Sequence, residues 1–69
     1  MRDYTNLKEK IKLFNNYGIS QTKIAQMANI DRSVITKWLN GNRQNISEES
    51  KNAIYLTLKI IAENLYKNI

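Results

Sequence analysis

The stretch SQTKIAQMANIDRSVITKWLNG, Ser20 to Gly41, sets its apolar residues where two short helices crossing at a tight turn would bury them. The inward positions are Ile24, Ala25, Ala28, Ile30, Ile35 and Trp38. Ile24 and Ala28 stand four apart and share a helical face, as do Ile35 and Trp38, three apart. Ala25 falls where the second helix crosses the first, and a larger side chain there would push the two apart. Between the sets lies Asn29, at a point where the chain must reverse through a left-handed conformation that Gly adopts freely and Asn tolerates. Asp31 is placed to cap the following helix, its carboxylate accepting from the free amides of the first turn. Asn40-Gly41 ends that helix. The stretch therefore predicts a helix-turn-helix over about 20–41.

Outside it, the chain reads as further helix. Leu7, Ile11 and Phe14 mark one face of a first helix, roughly Thr5 to Tyr17, that stops at Gly18. Helices are expected over Ser20 to Ala28 and Asp31 to Asn40. A polar loop, Gly41 to Ile46, precedes a last helix over about 47–67, capped by Ser47, with Glu48 and Glu49 in its first turn as the dipole prefers. There is no proline, low-complexity segment or repeat, so 69 residues form one small domain. The expected architecture is all-α, a small four- to five-helix bundle.

The last helix carries more apolar surface than one core needs. Ile54, Leu58, Ile61, Ala62 and Leu65 form a stripe, with Tyr55 and Tyr66 on its margin. Ala53, Leu56 and Ile60 fall on nearly the opposite side. Either a second chain covers that second stripe, making Ala53, Leu56 and Ile60 a homodimer seam, or the helix is wedged inside the domain with both faces covered.

Composition narrows the function. With neither cysteine nor histidine there is no disulfide framework, thiolate or imidazole metal site, or nucleophile-imidazole pair. Glu48 and Glu49 are adjacent and point about 100° apart, so they do not converge as an acid/base pair. No Gly-rich phosphate loop is present. No enzyme activity, catalytic residue, metal, cofactor or small-molecule ligand is expected. The polar start and the absence of any apolar run near 18 residues point away from a secretory signal or membrane span, and toward a cytoplasmic protein.

The net charge of +5 is unevenly placed. Residues 20–46 carry Lys23, Arg32, Lys37 and Arg43 against Asp31, and residues 1–19 also carry an excess, whereas 47–69 balance. Positive charge that coincides with the motif indicates a polyanion partner rather than a merely solvated surface.

At Gln21 to Gly41 the sequence resembles the lambda-repressor/Cro-like family of bacterial and phage DNA-binding domains, with pattern Q-x-x-[LI]-A-x-x-x-G-[VI]-[ST]-x-x-x-[IV]-x-x-[WL]-x-[NR]-G. Asn29 replaces the usual Gly, and Asp31 the usual Ser or Thr, which sets a negative charge near the DNA-facing surface. The resemblance implies a sequence-specific, double-stranded DNA-binding transcriptional regulator, a repressor of phage type that binds a palindromic operator as a dimer.

On that reading the second helix of the motif enters the major groove. Removing Ile35 and Trp38 leaves Arg32, Ser33, Thr36 and Lys37 to face base edges, with Val34 on the shoulder. A guanidinium such as that of Arg32 donates twice to guanine O6 and N7. Phosphate contacts are expected from Gln21 and Thr22, where free amides open a helix, from Lys23, and from Asn40, Asn42 and Arg43 just beyond the reading helix. The rival reading is a protein-interaction module, antitoxin-like or inhibitory, that keeps the fold but occludes another protein. Stacking of Trp38 on single-stranded nucleic acid is set aside, because Trp38 falls at an inward position.

Overall fold

Two residues in left-handed backbone shape the first half of the chain. Gly18, at φ +92°, ends the first helix, and Asn29, at φ 58° and ψ 45°, ends the second. Each closes its helix the same way. The amide just after the left-handed residue returns to a carbonyl of the last turn, Ile19 N–H to Phe14 O at 3.0 Å and Ile30 N–H to Ala25 O at 2.9 Å. Asn29 pays the steric cost of that conformation that glycine avoids.

The structure is a computed structural model that describes the backbone of residues 6–67 and the side chains of residues 6–65. Among them are four helices and no strand: α1 (Leu7–Asn16), α2 (Gln21–Ala28), α3 (Arg32–Leu39) and α4 (Glu48–Lys67). The expected start of the first helix at Thr5, and Tyr66 as a margin residue of the last, lie outside the described residues or side chains.

Local hydrogen bonds set three of the helix starts. The Ser20 side chain accepts from Lys23 N–H at 3.0 Å, Asp31 from Ser33 N–H at 3.0 Å, and Ser47 Oγ from Ser50 N–H at 3.1 Å. Asn40 and Gly41, the latter at φ +82°, terminate α3 as expected.

Packing radiates from α2, which lies against both α3 and α4, while α1 rests on α4. The core gathers Leu7 and Ile11 from α1, Ile24 and Ala25 from α2, Ile35 and Trp38 from α3, and Ile54, Leu58 and Ile61 from α4. Phe14, Ala28, Ile30, Val34 and Tyr55 are half-buried against it. Lys8 Nζ lies 5.1 Å from the centre of the Trp38 ring, a cation-π contact between α1 and α3.

Three sequence readings need correction. Ile46, assigned to a polar loop, is buried and belongs to the core. Ala62 and Leu65, placed on the core stripe of α4, are exposed, Leu65 by 49%. They continue the correct helical face, but α4 outruns the helices it covers. Thr57, unremarked by periodicity, is buried. Leu56 and Ile60 remain 38% and 48% exposed and Ala53 is half-buried, so the wedged arrangement that would cover both faces does not hold.

Candidate nucleic-acid interface

α3 presents two unlike faces. Ile35 is fully buried and Trp38 nearly so, and they fix the inner face on the core. Arg32, Ser33 and Lys37 are exposed, with Val34 half-buried at the edge as expected. Ser33 and Lys37, four apart, project from the face opposite Ile35, while Arg32, the first residue of α3, is exposed at the helix tip to the side of that face.

Thr36 makes a contact that its position does not suggest. It is half-buried, and its Oγ1 donates to Oε1 of Gln21 at 2.9 Å. This bond joins the first residue of α2 to the middle of α3 across fifteen positions of sequence. It also fixes the Gln21 amide group, leaving its NH₂ end outward. Sequence spacing gave no signal of the pairing.

Around this face the expected phosphate-binding residues fall on two flanks. Gln21, Thr22 and Lys23 open α2, the latter two exposed. Asn40, Asn42 and Arg43 follow α3 and are also exposed. The Arg43 amide donates to Lys37 O at 3.1 Å and its Nε to Asn45 O at 3.1 Å, so the loop holds the guanidinium by one edge and leaves its terminal nitrogens unassigned to the cap.

Asp31 supplies the negative charge of the surface. The Ser33 backbone amide, then the Ser33 hydroxyl, hold its carboxyl below the ordinary value of 3.8, with lesser help from Lys37 and Arg32 and slight opposition from burial. Because the folded form has the depressed pKa, the cap's contribution is present above 3.8 and is lost as pH falls through the lower folded value. Asp31→Asn keeps a cap oxygen without the titration. An acid series of thermal melts should therefore show wild type losing part of its advantage below about pH 4, with a shallower fall in the variant. Equal slopes would show that the cap does not report this pKa.

Comparison with known proteins agrees with this geometry. Residues 7–50 match the family described as Helix-turn-helix. Homeobox-containing protein 1 of Mus musculus and of Homo sapiens are each 42% identical to this chain over 55 residues, 78% of this chain. That match spans 13% of the length of those curated relatives. No solved structure matches the chain. Among the described residues, no helix is long and apolar enough to cross a membrane. With α2 and α3 crossing at Asn29, and the family match covering α1 to the first turn of α4, the chain belongs to the lambda-repressor/Cro-like helix-turn-helix family of DNA-binding domains.

Proposed function

We propose that the protein is a transcriptional repressor that binds a two-fold-symmetric duplex operator as a homodimer. The observation that carries this is the division of α3: Ile35 and Trp38 anchor one face while Ser33 and Lys37 stand exposed on the other and Arg32 stands exposed at the tip. A helix so held presents its outer side chains to base edges in the major groove. Arg32, at the tip, reads guanine, with Ser33 and Lys37 beside it. Thr36 supports the reading face through Gln21 rather than by presenting a free hydroxyl.

Gln21, Thr22 and Lys23 on one flank, and Asn40, Asn42 and Arg43 on the other, grip phosphates and set the register. The α2 N-terminus adds a positive dipole end. Two reading helices must lie about 34 Å apart to enter successive grooves, so each sits roughly 17 Å from the dyad. A dyad passing near the exposed stripe of α4 would have to set that spacing. Repression then needs only occupancy of the promoter.

Selection of bound duplexes from a random library at fixed salt tests the reading. A two-fold-symmetric consensus is expected, and no enrichment over random duplex would overturn it. If a dimer neutralises about six phosphates, log K should fall with log salt at a slope of about −5. Arg32→Ala and Lys37→Ala should each remove about 1–3 kcal/mol of preference for the selected site over random duplex while leaving the fold intact. Gln21→Ala or Arg43→Ala should weaken all duplexes alike. An Arg32→Ala variant with undiminished preference would move the reading surface elsewhere.

A further inference from the structure

On one side of the molecule, an open hollow lies between α1 and α4. Its floor is apolar: Phe14 from α1 with Tyr55, Leu58 and Ala62 from α4 surround a cavity of about 280 Å³. A second hollow of about 230 Å³ continues it past Phe14 and Ala62 to Tyr17, Ile19 and Leu65. Phe14 and Ala62 line both, so the two are one groove. Tyr17 and Leu65 are large apolar side chains left 75% and 49% exposed at its far end.

The near end is charged, and with one sign. Lys10 and Lys59 stand on opposite lips, and Lys10 Nζ lies 5.9 Å from the centre of the Tyr55 ring, which holds an ammonium over the floor. Both lysines are exposed. None of the lining residues belongs to α2 or α3, so filling the groove does not obstruct the proposed reading face.

A long, open, apolar groove with cationic lips at one end complements an amphipathic helix whose apolar anchors recur at i, i+3 or i+4 and whose flank is acidic. Its anchors fill the two hollows, and its carboxylates meet Lys10 and Lys59. We propose that this groove is a docking site for an acidic amphipathic helical segment of a partner protein, open to it whether or not DNA is bound.

The probe is a short fluorescein-labelled synthetic peptide with leucine and phenylalanine at helical spacing and glutamates on one flank. A second peptide of the same composition has the order scrambled. Anisotropy should show the ordered peptide binding in the micromolar range and the scrambled one at least tenfold more weakly. Amide shift mapping should place the changes on Lys10 to Ile19 and Tyr55 to Leu65. Lys10→Glu with Lys59→Glu, and separately Ala62→Trp, should each reduce peptide affinity at least tenfold while helicity and melting stay as in wild type, and Ala62→Trp should leave duplex binding unchanged. All three positions are exposed, so the fold tolerates these changes.

Equal binding by the variants, shifts confined to the Leu56 and Ile60 face, or no saturation at millimolar peptide would overturn the proposal. So would a change in sedimentation of Ala62→Trp alone, which would make the groove a contact between two copies of this chain. Duplex binding is measured separately, so failure of the groove and failure of the DNA reading are distinguishable.

Discussion

Replacing both Leu56 and Ile60 with glutamate should yield a folded monomer whose affinity for a symmetric duplex is lower by on the order of 100-fold, the benefit of joining two half-site readers. Both side chains are substantially exposed, so the substitution leaves the internal core untouched. They stand four apart on a 20-residue helix, with Ala53 a further turn back and Glu49 and Glu63 bounding the apolar patch at either end. Two antiparallel copies of α4 centred on Leu56 would bring Glu49 against Glu63 of the partner, a like-charge pairing that disfavours that register. Centring two residues later sets Leu56 against Ile60 of the partner and separates the acids. Four new carboxylates at that seam would repel. Sedimentation should report the monomer, circular dichroism normal helicity, and binding to a single half-site an unchanged constant. Unfolding of the variant would assign the two residues to the internal core. A dimer with wild-type affinity would deny the stripe any role in assembly.

Trp38→Ala should cost about 3–5 kcal/mol, as expected for truncating a buried aromatic. At about 0.05–0.15 kcal/mol per residue, a chain of 69 residues has a total stability of the same order, so a large unfolded fraction is expected at room temperature. The loss has two parts. Trp38 is 4% exposed among core residues, and its ring also receives Lys8 from α1. Urea denaturation followed by circular dichroism measures the effect, with Trp38→Phe expected to retain much of the lost stability. A change below about 1 kcal/mol for Trp38→Ala would place this side chain outside the core.

Features governed by near neighbours were legible in the sequence. Asn29 at the turn, and Ser20, Asp31 and Ser47 at helix starts, act through hydrogen bonds spanning a few residues, so their type and position suffice to identify them. Helical periodicity likewise assigned Ile24, Ile35, Trp38 and Ile54 to the inside. It specifies a face and not how far a neighbour extends along it, which is why Ala62 and Leu65 were assigned inward. Ile46 stands alone in a polar segment with no period to betray it, and is buried only because the loop folds back onto the core. For the proposed reading surface, the exposure of Arg32, Ser33 and Lys37 follows from subtracting the core positions of α3. The bond from Thr36 to Gln21 did not, because it depends on the crossing of two helices and has no local signature.

The central place of α2 gives the molecule an order of local opening. α1 packs chiefly on α4 and meets α3 through Lys8 and Trp38, so its detachment breaks these contacts while the more extensive packing of α2 on α3 and α4 remains. α3 cannot leave without uncovering α2, which packs against α4 as well as α3 and buries Ile24 and Ala25. The amides of α2 and of the middle of α4 are therefore the last to exchange with solvent, close to the free energy of global unfolding, while those of α1 exchange through a smaller event. On the proposed reading, the helix that would meet the bases shares in the most cooperative part of the fold, so α1 can fray without disordering that surface.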